Sequence, residues 1–178
     1  MKATLEAINQ MQADGVIGKY AVGGAVGATF YLEPAATIDL GVFVMLPVPY
    51  SSTLISLSPI YDYLKARGGV EEAEYIVIGD WPVQFLLPSQ GLETEAVDEA
   101  ILAEVEGVKV RVMSAEHLAA IALRTGRPKD RIRLIQFVQQ GALEPHKWSK
   151  ILLRHGLVDR WQEFEQKFLD GTNEQITD

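Results

Sequence analysis

The 178-residue chain has no cysteine, which removes disulfides, thiolate metal sites and cysteine nucleophiles together. It also lacks any apolar run near the roughly 18 to 20 residues that a membrane-spanning helix needs. Its opening "MKATLEAINQMQADG" reads as an amphipathic helix, not a signal peptide. The expectation is a cytoplasmic protein with no membrane partner. Basic residues are the minority, 16 against 24 acidic, so the net charge of -8 gives no bulk electrostatic grip on nucleic acid or anionic lipid. A local basic patch can still hold phosphate. No serine stands in a Gly-x-Ser-x-Gly context, and neither a Walker loop nor a Rossmann glycine fingerprint is present. Hydrolase and dehydrogenase readings are left without support.

Hydrophobic residues make up 48% of the chain, enough for a sizeable core. The spacing of Leu5, Ile8 and Met11 predicts a first helix, followed by a short strand "KYAV" and a helix opening at Gly24. A strand over "TIDLGVFVML" ends at Pro47 and Pro49, and "STLISLSPIYDYLKARGG" predicts a helix stopped by Gly68 and Gly69. "AEYIVIG" and "WPVQFLLP" read as strands joined in a tight hairpin at Gly79-Asp80. The acidic "LETEAVDEAILAEVEG" reads as a helix and "VKVRVM" as a last strand. In "SAEHLAAIALRTG" Ser114 suits an N-cap, with Leu118, Ile121 and Ala122 facing inward. Three further helical segments each close on glycine. The predicted class is α/β (α+β). Residues 1–112 form a mixed-sheet core, residues 113–170 a helical part packed on it, and residues 171–178 a flexible tail.

One charge interrupts the apolar pattern. Alternate strand residues share a face, so Thr37, Asp39, Gly41 and Phe43 point one way and Ile38, Leu40, Val42 and Val44 the other. An unpaired buried carboxylate is costly, so Asp39 is expected at an open edge of the sheet, binding a metal, an arginine or backbone donors. The competing reading is structural, with Asp39 holding a neighbouring turn. Upstream, Gly23 and Gly24 follow a strand and open a helix, where free N–H groups can receive a phosphate that no side chain obstructs. Tight strand-to-helix turns also use glycine without any ligand.

On "AVGGAVGATFY" with "ATIDLGVFV", on "GDWPVQFLLP" and on "VMSAEHLAAIALRTGRPKDRIRL", the sequence resembles the nucleotidyltransferase superfamily, and within it the AbiEii-type toxins of type IV toxin–antitoxin systems. The resemblance implies a nucleotidyltransferase-like mixed sheet flanked by helices, with a C-terminal helical extension. It also implies a Gly-Gly turn that holds nucleotide phosphates, matched by Gly23 and Gly24 with Ala25 and Thr37 beside them. A strand carrying Asp-x-Asp or Asp-x-Glu would hold divalent metal, and Asp39 matches its first, catalytic position. The second carboxylate would fall at position 41, roughly 6 to 7 Å along the strand, where Gly41 stands. The serine that often follows the glycine pair is replaced by Ala25. The implied activity is Mg²⁺-dependent transfer of a nucleoside monophosphate from a nucleoside triphosphate to a hydroxyl of RNA or protein, with an antitoxin-type protein as a possible partner. The alternative is a degenerate form of the fold that senses nucleotides or binds a protein. With Gln84 the one candidate on the neighbouring strand and Asp80 in the turn, Mg²⁺ would arrive on the triphosphate.

"RTGRPKDRIR" concentrates Arg124, Arg127, Lys129, Arg131 and Arg133 in an acidic protein. The resemblance places this corner near the cleft, with Arg127 and Lys129 as phosphate or nucleic-acid contacts. The competing reading is a solvated corner, with Asp130 in the first helical turn and Arg131 or Arg133 paired with local acids. His117, His146 and His155 suit exposed or capping positions. Trp81, Trp148 and Trp161 are expected to pack helices onto the sheet.

Overall fold

Leu40, Val42 and Val44 are fully buried and alternate with Gly41 and half-buried Phe43, and this strand, β2 (Leu40–Val44), is the middle of a seven-stranded mixed sheet. A computed structural model describes residues 1–34, 37, 39–47, 56–89 and 91–169. Helix α1 (Lys2–Ala13) buries Leu5, Ile8 and Met11, one stripe at helical spacing. Next come β1 (Tyr20–Val22), the short α2 (Gly24–Ala28), β2, α3 (Ser58–Lys65), β3 (Val70–Glu72), β4 (Tyr75–Ile78) and β5 (Trp81–Leu86). Helix α4 (Leu92–Asp98), β6 (Ile101–Val105) and β7 (Val108–Val112) complete this part. The strand order is β3-β4-β5-β2-β1-β7-β6. β2 runs antiparallel to β1 and parallel to β5, while β1 runs parallel to β7. Thr4 in α1 donates its hydroxyl to the Ile78 carbonyl at 2.9 Å, fixing the helix to the end of β4.

Three predicted elements change. The strand expected over residues 37–46 is confined to β2, so Asp39 precedes the ladder; Ile38 lies outside the described residues. The helix expected from Ser52 starts at Ser58, and residues 48–55 are outside the described set. The acidic segment read as one helix is α4 followed by β6. Glu106 and Gly107 have φ of 51° and 79°, the backbone of a two-residue hairpin turn, and they fold β6 back on β7. Pairing along β7 thus overrides the helix propensity of Ala103, Glu104 and Glu106.

The chain divides into two compact units. The sheet unit comprises Met1–Phe30 and Pro34–Ser114. The helical unit takes Tyr31–Glu33 and the chain from Ala115 onward. It contains α5 (Ala115–Thr125), α6 (Pro128–Gln139), α7 (Pro145–Arg154) and α8 (Val158–Phe168). Helix α5 contacts α6, α7 and α8 and is buried nearly all round. That is why His117 is fully buried, against the expectation of an exposed or capping histidine. Trp148 and Trp161 meet edge to face at 5.1 Å, and Trp161 stacks on Phe164 at 5.8 Å. These two tryptophans join α7 to α8, whereas Trp81 belongs to β5. No described helix is long and apolar enough to cross a membrane.

Candidate active site

Strand register brings together residues far apart in sequence. β1 pairs Val22 with Val42, β2 pairs Gly41 with Gln84, and β4 pairs Ile76 with Val83. Extending the two antiparallel registers by one pair sets Gly23, Gly41, Gln84 and Tyr75 in a single row across four strands. A hydrogen bond from Gly23 N–H to the Gly41 carbonyl, 3.0 Å, closes the first link of that row. Side chains in a row share a face. Its first two members have none, so the row is a notch bordered by half-buried Gln84 and Tyr75.

Gly23 is required sterically and Gly24 conformationally, whereas Gly41 is required by neither. Gly23 is extended, and a Cβ on it would lie 3.1 Å from Phe43 Cε2 and 3.2 Å from Met113 Sδ. Gly24 has φ 61° and nothing within 4 Å of a built Cβ. The N–H of Gly23 is bonded to the Gly41 carbonyl and ties the turn to β2. The N–H groups of Gly24, Ala25 and Val26 precede Gly27, which donates to the Gly23 carbonyl at 2.9 Å, so they have no acceptor inside α2. Gly23→Ala is expected to lower stability by about 1 kcal/mol through overpacking. The urea midpoint of the variant would show it, and an unchanged midpoint would mean that Phe43 and Met113 yield freely.

Asp39 is half-buried immediately before β2. It therefore stands at the end of the central strand, not at the edge of the sheet as its isolation suggested. The Thr37 hydroxyl donates to the Asp39 carbonyl at 3.3 Å, bracing the backbone that presents the carboxylate. Tyr75 is half-buried at the start of β4. Burial first, then the charges of Asp39 and Glu74, raise its phenol above the ordinary value. Register sets Tyr75, a residue the sequence reading did not single out, beside Gln84. The signal was available: a two-residue turn at Gly79-Asp80 pairs residue 75 with residue 84.

Arg127 and Lys129 belong to the helical unit. Arg127 is the N-cap residue of α6, and its Nε donates to Asp130 Oδ2 at 2.6 Å. Arg133 reaches Asp130 Oδ1 at 3.4 Å, and Arg131 Nε donates to the Gly126 carbonyl at 2.9 Å. Asp130 is only 2% exposed. The corner is thus an ion-pair cluster organised around one buried acid, while Lys129 is exposed.

The row itself offers the neutral oxygens of Gln84 and Tyr75, and the carboxylate of Asp39 belongs to the same face two residues before Gly41. Mg²⁺ takes six oxygen ligands and often keeps water and substrate phosphate among them. The set fits an ion that arrives on a triphosphate. The space beside Gly41, where a built Cβ meets nothing within 4 Å, leaves room for phosphate oxygen or water.

The architecture is the nucleotidyltransferase-like fold. Over 96% of this chain and 89% of the other, it matches the crystal structure of an antigenic nucleotidyltransferase-like protein from Paracoccidioides brasiliensis, with a TM-score of 0.60 and 14% identity. The solution structure of the antibiotic-resistance factor ANT(2'')-Ia matches over 93% of this chain and 95% of that one, with a TM-score of 0.50 and 16% identity. The crystal structure of ANT(2'')-Ia in complex with adenylyl-2''-tobramycin matches over 90% and 98%, with a TM-score of 0.51 and 16% identity. No family model and no curated protein sequence matches the chain. Identities this low establish the fold and leave the chemistry to the residues.

Proposed function

We propose that the protein binds a nucleoside triphosphate in the glycine notch and transfers its nucleoside monophosphate to a hydroxyl of RNA or protein. The observation that carries this reading is the Gly23–Gly41 hydrogen bond, which fastens the glycine turn to the strand behind Asp39. The triphosphate approaches over Gly24, where no side chain obstructs it, and the N–H groups of Gly24, Ala25 and Val26 donate to its oxygens. Asp39 would hold Mg²⁺ carried on the nucleotide, a group that would supply charge neutralisation at the phosphates. Gln84 and Tyr75 border the bound chain and orient it. Transfer forms a bond from the acceptor oxygen to the α-phosphorus and releases pyrophosphate. Arg127 is committed to Asp130, so in this proposal it is a structural residue and Lys129 is the freer phosphate contact. The AbiEii-type resemblance extends the proposal to a cytoplasmic toxin with an antitoxin-type protein partner.

Isothermal titration of ATP, CTP, GTP and UTP, with and without Mg²⁺, tests the reading. Mg²⁺-dependent binding that weakens at least about tenfold in Asp39→Ala is the expected result, a loss of about 1.4 kcal/mol. Equal binding by wild type and variant would remove Asp39 from the site. A second reading, a degenerate scaffold that binds nucleotide without transferring it, is favoured by the missing acid at Gly41. Nucleotide binding without label transfer to RNA or protein would select it.

A further inference from the structure

On the face of the sheet opposite Gly41 and Gln84, a cavity of about 450 Å³ lies beneath α2. Its floor includes Leu5, Leu40 and Val110, each no more than 2% exposed, and its rim includes half-buried Val26, Phe30 and Trp81. The cavity opens to solvent beside Val26, Phe30 and Trp81, and a guest that fills it would take its largely apolar lining out of water. Ligand pockets typically span about 300 to 1,000 Å³, and apolar voids of about 150 Å³ already stay dry and take up small hydrocarbons. We infer that this cavity is a binding site for a neutral, largely apolar small molecule, distinct from the nucleotide notch on the other face.

The lining decides the chemistry. Among the described residues no lining side chain carries a charge, and the Met1 ammonium beside the cavity lies 4.0 Å from Glu106 Oε2, so a charged guest would lose its water for little in return. Polar contact comes from Thr29 and Thr37, whose hydroxyls already donate to the Val26 carbonyl at 2.7 Å and the Asp39 carbonyl at 3.3 Å. Their remaining lone pairs can accept. The matching ligand is an aliphatic or flat aromatic body with one hydroxyl or N–H donor. The inference does not depend on nucleotidyl transfer, because Leu5, Val22, Leu40 and Val110 line the cavity and none of them takes part in that proposal; only Thr37 and Val26 border both places.

The test is titration of the full chain with the neutral fluorophore N-phenyl-1-naphthylamine, followed by displacement with decanol or 2-naphthol. Saturable binding in the micromolar range is expected, with displacement by decanol assigning an aliphatic ligand and displacement by 2-naphthol an aromatic one. Val26→Trp fills the space from α2 and Val110→Phe fills it from the sheet; each is expected to weaken binding at least tenfold with an unchanged circular dichroism spectrum. Leu153→Trp, at a position 76% exposed in α7, adds an indole elsewhere and is expected to leave binding unchanged. No saturable binding by wild type, or no displacement by either competitor, overturns the inference. So does full binding by a folded filling variant.

Discussion

Gly41→Asp is expected to tighten Mg²⁺ binding in the presence of nucleotide by on the order of 10- to 100-fold. The new Cβ enters space with no atom within 4 Å, so the substitution adds charge without overpacking. The carboxylate would stand on the row bordered by Gln84 and Tyr75, one strand pair from the turn that Gly23 ties to β2. At an effective dielectric near 20, a second carboxylate about 4 Å from a divalent ion gives several kcal/mol of attraction. Repulsion from Asp39 and lost hydration offset much of it, leaving the stated range. Without metal the same repulsion lowers the melting temperature, and Mg²⁺ should restore it by linkage. Gly41→Asn, which fills similar volume without charge, should do neither. Equal Mg²⁺ affinity in wild type and Gly41→Asp would show that this face of β2 does not line a metal site, and the nucleotidyl-transfer proposal would lose its centre.

How far the sequence could lead depended on whether a feature was local. The apolar stripe of α1, the β4–β5 hairpin and the glycine that opens α2 all depend on residues a few positions apart, and each forms as expected. The fold class was legible on these and on the resemblance. β6 was not, because Ile101–Val105 in isolation has a composition that a helix accepts, and its strand state comes from pairing with β7. Asp39 was legible as an exception to its surroundings. Its place at the end of a central strand was not, since the strand order β5-β2-β1 is set by contacts distant in sequence. The glycine pair shows the same division. Its presence was plain, but the crowding of Gly23 by Phe43 and Met113 required two further strands to be in place. The pairing of Tyr75 with Gln84 is local, since it follows from a two-residue turn at Gly79-Asp80.

Glu116 supplies the larger stability effect. Its carboxylate, in the first turn of α5 and 5% exposed overall, accepts from the Glu144 N–H at 3.0 Å and from Lys147 Nζ at 3.1 Å. Glu144 in turn caps α7 through the N–H groups of His146 and Lys147, so one acid links the starts of two helices. Burial alone would push the Glu116 carboxyl up, but the Glu144 N–H, its own N–H and Lys147 outweigh it and hold the group below its ordinary value. A carboxyl depressed in the folded state stabilises fully above its unfolded value of 4.5, and that contribution is lost as pH falls through the folded value. The melting temperature should therefore drop on acidification below pH 4.5, and Glu116→Gln should flatten that part of the profile. Glu116→Ala should cost about 2 to 3 kcal/mol at neutral pH by urea unfolding, below the usual range for a buried pair because Lys147 is partly exposed and can return to water. Tyr31 offers an independent readout. Burial and then the charge of Glu116 push its phenol up to about 12, so its absorbance titration should shift to lower pH in Glu116→Gln. An acid limb as steep in Glu116→Gln as in wild type, with Tyr31 unmoved, would mean that this carboxylate is not ionised in the folded protein and that the α5–α7 junction rests on packing around Trp148.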